Sequence, residues 1–343
     1  MSATTLPGAA SAEKKTTAKS HVLRSLGERY GLVLLLGAVY VFFSVLPASA
    51  PAFPTMANLQ AVLGNIAVVS VLGIAAIFPL VGGHFDFSVA ATSLVSSITC
   101  AALLSDHHAP LAVGVAGGLL AGLAVGLVNA TLVAALRLNA FIVTIGTATL
   151  LPGIVQWYTG GVGITRDIAQ PLRDLGSGTW LGLPQVIWPV AVVIATCWFV
   201  LGQTAVGRRL HAVGSNPAAA RLVGISVTRV SFLAFVISGG LAGIAGVLLT
   251  ARNGGGLVNS GVDLLFPALA AVFLGGTAID PGRYNVLGTV VGALFVALSV
   301  SGLTLAGAAD WVPNVFNGVA LVVAVAISTL LARRRGQTGA EGT

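Results

Sequence analysis

The residues best suited to chemistry are Asp86 and His84, which interrupt a long apolar run. A carboxylate inside a membrane costs roughly 3 kcal/mol unless it is paired or reaches water. Two interpretations of Asp86 are open. It lines a water-filled path together with His84 and Ser88 and meets solute hydroxyls there, or it caps a following helix by accepting hydrogen bonds from the N–H groups of Ser88 and Val89. We favour the cap for Asp86 and a structural hydrogen bond for His84.

A second set of polar side chains, Asn139, Thr144 and Thr147, lies in another apolar stretch. Thr144 and Thr147 are three residues apart and therefore share one face of a helix. Their hydroxyls either line the same path or bond to carbonyls within the bundle, and we favour the second interpretation.

Motifs for catalysis are missing from the sequence. Gly202 and Gly207 have the spacing of a phosphate-binding loop, but Arg208 and Arg209 follow where Lys and Ser or Thr are required. The five histidines are scattered and form no zinc-binding motif. We therefore predict no catalytic residue, no metal ligand and no bound cofactor in this chain.

The elements that position these residues must be membrane helices. Hydrophobic residues make up 56% of the chain and charged residues 8%, against a charged share of roughly 25% in soluble domains. The net charge of +7 does not indicate nucleic-acid binding, because Lys and Arg occur in short clusters between apolar stretches and at both ends. Cys100 and Cys197 lie far apart in apolar segments and predict neither a disulfide nor a metal site.

Ten apolar stretches predict an all-α integral membrane protein with about ten transmembrane helices, since a span needs roughly 20 residues. One helix is expected to be broken near residues 79–86, where prolyl, glycyl and charged residues interrupt the apolar run. The predicted stretches are 31–46, 59–80, 85–104, 110–136, 139–158, 184–202, 229–250, 264–279, 284–305 and 311–332.

The positions of the basic residues predict that both termini are cytoplasmic. With ten spans, fourteen of the 17 Lys and Arg residues fall inside and three, Arg166, Arg173 and Arg252, fall outside. Residues 1–29 are expected to form a disordered cytoplasmic tail, 30–332 the transmembrane domain, and 333–343 a second cytoplasmic tail.

The cytoplasmic loop before the seventh span contains the signals of a short helix over 216–223. Asn216 is a suitable N-cap, Pro217 suits the first helical position, three alanines follow, and Gly224 suits the position after the helix end. A helix this short in a cytoplasmic loop has no lipid against which to bury its Ala and Leu face. We therefore expect it to bind a partner protein.

This loop resembles the coupling segment of permeases from the ribose/xylose class of ATP-binding-cassette (ABC) importers, in which a pattern close to G-x-N-x-x-A-A-x-x-x-G-I recurs. The resemblance implies that the segment docks in a groove of the ATPase subunit. Pro217 and Ala218 stand where many members have Glu. The implied coupling residues are Gly214, Asn216, Ala219, Ala220, Arg221, Gly224 and Ile225.

Three further patterns resemble the same family and extend the similarity over roughly residues 55–330. They are G-G-x-x-D-L-S-V at 82–89, with Phe87 in place of Leu, P-x-F-I-V-T-L-G-T at 139–147, and G-G-T-x-x-x-G-G-x-G-S-x-x-G-T near 275–289, where Pro281 and Tyr284 replace small residues.

The resemblance implies a permease subunit of a binding-protein-dependent ABC importer for a sugar-like solute, in the bacterial inner membrane. Its implied partners are an ATPase that binds ATP-Mg, an extracytoplasmic solute-binding protein, a second permease copy and membrane lipid. The outer loop 159–183 is either a docking surface for the binding protein or an ordinary solvated loop. The alternative is a proton-coupled secondary transporter that uses Asp86 and His84, which would not require the helix at 216–223.

Overall fold

The computed structural model describes the backbone of residues 29–340 and the side chains of residues 29–327. The predicted N-terminal tail lies outside the described residues up to residue 28. The described part is almost wholly helical. Its helices are α1 (Arg29–Val45), α2 (Met56–Val81), α3 (Val89–Ser105), α4 (Leu111–Ala130), α5 (Ala140–Thr159), α6 (Gln170–Ser177), α7 (Ile187–Gln203), α8 (Ala205–Ser215), α9 (Pro217–Leu222), α10 (Val227–Asn253), α11 (Leu265–Gly275), α12 (Val286–Leu305) and α13 (Val312–Ala340).

Short irregular elements complete the chain. A π-helical turn, Thr131–Ala135, extends α4, and a 3₁₀ turn, Val262–Leu264, precedes α11. Strands β1 (Thr179–Trp180) and β2 (Leu183–Pro184) form a small antiparallel hairpin between α6 and α7. The predicted C-terminal tail, 333–343, is helical through Ala340 because α13 continues into it.

All ten predicted apolar stretches contain a helix, so the all-α membrane architecture is confirmed. Five helices of the described chain are long and apolar enough to cross a membrane: α2, α4 with its π-helical extension, α5, α10 and α12. The pair α7 and α8 passes the same test jointly but bends by 64° at its junction. Four further apolar helices are shorter. The total of ten crossings and the cytoplasmic position of both ends remain predictions.

Helix α2 lies at the centre of the bundle. Every residue from Ile66 to Val81 is buried, and the helix packs against α7, α10, α11 and α12. Apolar character alone does not explain this position, because lipid can also cover an apolar helix and the similarly apolar α4 is largely uncovered by protein.

Glycines spaced four residues apart on α4 and on α10 bring these two helices into backbone contact within this one subunit. A Cβ on Gly122 of α4 would lie 2.5 Å from the Cα of Gly243 on α10, and one on Gly126 would lie 2.9 Å from the Cα of Gly239. Hydrophobicity alone does not hold helices together in lipid, so this close approach is a principal source of α4–α10 packing.

The predicted interruption near residues 79–86 is present. Helix α2 continues through Pro79 and ends at Val81, and α3 begins only at Val89. Gly83 adopts a positive φ of 86°, which favours glycine, and the His84 N–H donates to the Pro79 carbonyl at 2.9 Å. We call residues 82–88 the break.

Candidate functional site

The carboxylate of Asp86 is buried in the break, with 5% of its surface exposed. Its Oδ1 accepts hydrogen bonds from the Ser88 N–H at 2.9 Å and from the Ser88 hydroxyl at 2.6 Å, and its Oδ2 accepts one from the Ser238 hydroxyl at 2.8 Å. The predicted bond from Ser88 is present, whereas no described hydrogen bond to Asp86 comes from Val89. Asp86 thus fixes the approach to α3 and also ties the break to α10.

Two further side chains extend this cluster to α4 and α5. The Asn129 amide donates to the Ser88 hydroxyl at 2.8 Å, and the Thr147 hydroxyl lies 2.9 Å from the Asn129 Oδ1. Asn129 is buried, with 1% exposure. We call Asp86, Ser88, Asn129, Thr147 and Ser238 the inner polar network, and it joins the break to three helices.

His84 is positioned separately from this network. Its Nε2 lies 3.0 Å from the Ser231 hydroxyl, and its ring centroid lies 6.0 Å from that of Phe235. Ser231 and Ser238 are two turns apart on α10, and no described hydrogen bond joins His84 to Asp86. This geometry agrees with the structural interpretation of His84.

The remaining polar residues of α5 form local hydrogen bonds. Asn139 caps the helix by accepting from the N–H groups of Phe141 at 2.9 Å and Ile142 at 3.3 Å. The Thr144 hydroxyl donates to the Ala140 carbonyl at 2.8 Å and lies 3.4 Å from the Phe85 carbonyl of the break. These bonds agree with the favoured interpretation, and the assignment of these residues to a solute path remains a prediction.

The predicted cytoplasmic helix is present as α9, and its first turn is capped as predicted. The Asn216 side-chain oxygen accepts hydrogen bonds from the N–H groups of Ala218 and Ala219, both at 3.0 Å, and Pro217 occupies the first helical position. Such a cap is worth about 1 kcal/mol.

The end of α9 is a Schellman motif. The Ile225 N–H donates to the Ala220 carbonyl at 2.9 Å, and the Gly224 N–H donates to the Arg221 carbonyl at 3.0 Å. Gly224 adopts a φ of 81°, as this motif requires. The role of Gly224 predicted from its position is therefore confirmed at the level of geometry.

The outward face of α9 is apolar and uncovered in the isolated chain. Leu222 and Val223 are 89% and 75% exposed, whereas Ala220 is buried against the rest of the subunit. Beside this face lies a cleft of about 540 Å³ whose lining includes Arg137 and Arg221.

Helix α8, which no sequence signal had indicated, joins α9 to the break. A Cβ on Gly214 would collide with the Val81 carbonyl oxygen at the end of α2. The side chain of Leu210 is buried at 1% exposure, and its Cδ2 would lie 3.4 Å from a Cβ on Gly82. The cytoplasmic segment 214–225 predicted from the sequence and the break are therefore in direct contact.

The outer loop 159–183 contains α6 and the first half of the hairpin. The Trp180 ring packs edge-on against that of Trp188, with centroids 5.0 Å apart, and Trp180 remains exposed. Arg173 and Asp174 on α6 are also exposed. This surface suits a docking partner, but its role remains a prediction.

Sequence reasoning predicted Ser88 as a partner of Asp86 but missed Ser238, the Ser231 partner of His84, and Asn129. Asn129 was the strongest available signal, because it is a lone amide near the end of an apolar stretch. Ser231 and Ser238 share one face of α10 at a spacing of seven residues, but small hydroxyls on membrane helices carry little individual information.

Comparison with known proteins identifies the family to which this chain belongs. Residues 58–325 match the family described as branched-chain amino acid transport system / permease component. The chain belongs to this permease family. It is 29% identical to the ribose import permease protein RbsC of Haemophilus influenzae over 94% of this chain and 99% of that protein.

Two further relatives narrow the group within the family. The probable ABC transporter permease protein YphD of Escherichia coli is 35% identical over 97% of this chain and 98% of that protein. The L-arabinose ABC transporter permease protein AraH of Azospirillum brasilense is 32% identical over 88% and 89%. No solved structure matches. These findings confirm the resemblance to ribose/xylose-type sugar ABC permeases, and the chain is a multi-pass protein of the inner membrane.

Proposed function

We propose that this permease provides the translocation path for a sugar or sugar-like solute in a binding-protein-dependent ABC importer, driven by a separate ATPase that binds ATP-Mg. The observation that carries the proposal is helix α9, which is capped at both ends and exposes Leu222 and Val223. Its neighbour α8 contacts the break. The chain itself supplies no catalytic group in this scheme.

Docking on the ATPase covers the exposed side chains of Leu222 and Val223 at the end of α9. Fully burying a Leu or Val side chain contributes roughly 1.5–3 kcal/mol, so Leu222 and Val223 provide a substantial part of the contact. Arg137 and Arg221 beside this end of α9 favour acidic groups on the partner, and such charges mainly guide orientation and the rate of association.

Movement of α9 reaches the membrane through α8. Gly214 rests on the Val81 carbonyl, so α8 cannot approach α2 further without displacing the end of α2. The adjoining break carries the inner polar network, whose hydrogen bonds extend to α4, α5 and α10. A shift of α8 therefore acts on every helix that the network joins, which supports a change of access near His84, Asp86, Ser88, Asn139, Thr144 and Thr147.

The complete importer requires further proteins. In the proposed assembly a second permease copy, identical or paralogous, lies beside this one, and a solute-binding protein docks on the outer loop 159–183. No specific contact favours the proton-coupled alternative, since the described His84 and Asp86 bond to different serines of α10.

The test is co-purification of the ATPase with the permease, together with ATP-dependent sugar uptake. Leu222→Asp should reduce both at least tenfold while the permease still inserts in the membrane. The matched control is Gln203→Glu, which adds the same charge at an exposed position outside α9. Unchanged co-purification and uptake for Leu222→Asp would refute the role of α9.

A further inference from the structure

A cavity of about 700 Å³ lies at the end of the bundle opposite the break. Its walls come from the first turns of α2, the last turn of α10, the last turns of α12 and the second turn of α13. Because the break is at the other end of α2, this cavity opens on the outer side in the predicted orientation.

Polar side chains from five segments converge on this cavity. Two hydrogen bonds already hold part of the lining: the Arg252 guanidinium donates to the Asn65 Oδ1 at 2.7 Å, and the Ser301 hydroxyl donates to the Asn58 Oδ1 at 2.6 Å. The polar side chains of the lining include Asn58, Asn65, Arg252, Asp263, Ser301 and Asn317. We call this cavity the outer polar cavity.

Two details indicate that the lining forms a specific ligand-binding site. A Cβ on Gly64 would collide with the Arg252 guanidinium. The absence of a side chain at Gly64 therefore provides the space in which the guanidinium packs against α2. The Oδ1 of Asn317 is buried and accepts no hydrogen bond from any described residue. A buried acceptor without a partner carries a desolvation cost of about 1–3 kcal/mol, which a bound donor relieves.

The chemistry of the lining favours a neutral ligand with many hydroxyl groups. Amides offer both donors and acceptors, a guanidinium offers donors, and a carboxylate offers acceptors. Arg252 and Asp263 carry opposite charges, so this pair selects for neither an anion nor a cation. The volume lies within the range of roughly 300–1,000 Å³ typical of small-molecule pockets.

We propose that the outer polar cavity receives and binds a neutral polyhydroxylated solute from the outer side. This inference rests on the proposed function and adds a binding site to it. The apolar part of the lining, which includes Val62 and Val69, suits the C–H faces of a sugar ring.

Single cysteines in the cavity test the proposal. The two native cysteines are buried, and Cys100→Ala with Cys197→Ala gives a background into which Ser301→Cys or Asn65→Cys is introduced. The assembled complex in proteoliposomes is treated from the outer side with a membrane-impermeant methanethiosulfonate. The probe is whichever sugar the background complex transports fastest among a panel of pentoses and hexoses.

We expect both cysteines to react from the outer side and saturating sugar to slow the reaction at least threefold. Asp106→Cys, at an exposed position between α3 and α4 and outside the loop 159–183, is the control and should react equally with and without sugar. If the complex transports a sugar that slows neither cysteine, or if both react only from the cytoplasmic side, this inference is overturned while the proposed function stands. If no sugar of the panel is transported, the proposed function itself fails and the inference fails with it.

Discussion

A substitution at the contact between Gly214 and Val81 tests most directly how α9 acts on the membrane helices. Gly214→Ala adds one methyl group at a position where the Val81 carbonyl oxygen occupies the required space. Gly214 lies within α8 and does not have a positive φ, so alanine suits its backbone conformation. The effect of the substitution is therefore steric.

Two opposing magnitudes determine the outcome. Replacing glycine by alanine within a helix stabilises it by roughly 0.5–1 kcal/mol, whereas overpacking a tight contact costs typically 1–3 kcal/mol. Carbon and oxygen atoms separate to about 3.5 Å, so α8 and the end of α2 must move apart by on the order of 1 Å. Overall stability should therefore fall by about 0–2.5 kcal/mol, and the path from α9 to the break should be disturbed.

The assay compares ATP hydrolysis with sugar uptake in the reconstituted complex. We expect Gly214→Ala to retain ATPase binding and basal hydrolysis but to lower the uptake per ATP at least fivefold. The control is Gly202→Ala near the end of α7, where an added Cβ meets nothing within 4 Å. If Gly214→Ala transports as efficiently per ATP as Gly202→Ala, the contact does not transmit the movement.

Three other substitutions test separate parts of the structure. Ser238→Ala leaves one oxygen of Asp86 without its partner at a cost of about 1–3 kcal/mol, so thermal unfolding in detergent should occur several degrees lower, and an unchanged midpoint would contradict the network. Gly224→Ala forces a Cβ into a positive φ at a cost of roughly 1–2 kcal/mol, so ATPase affinity should fall measurably, and wild-type affinity would show that the helix end is not needed. Gly122→Ala should separate α4 from α10 and reduce the yield of folded protein, whereas Gly146→Ala, which meets nothing within 4 Å, should not; equal yields would contradict the packing.

Features that depend on local physics were predictable from the sequence. The apolar stretches located the helices because lipid requires a continuous run of apolar side chains. The ends of α9 followed from Asn216 and Gly224, because a cap and a left-handed turn each involve only a few neighbouring residues.

Features that depend on distant contacts were not predictable in the same way. The bond between Asp86 and Ser238 joins residues 152 positions apart, and a single serine on an apolar helix gives no sign of its partner. Helix α8 is short and contains Gly207, Arg208 and Arg209. The sequence there resembles a basic loop, so its buried apolar face could not be recognised. The outer polar cavity likewise forms only when four helix ends and one turn meet.

The central claim is that ATP hydrolysis on a partner drives a sugar through this permease. The most direct measurement is the accumulation of a labelled sugar in proteoliposomes that contain the permease, its ATPase and its binding protein. The account predicts that uptake requires ATP and the ATPase subunit and is unaffected by a protonophore. Uptake that proceeds without the ATPase, or that stops when the proton gradient is dissipated, would contradict it.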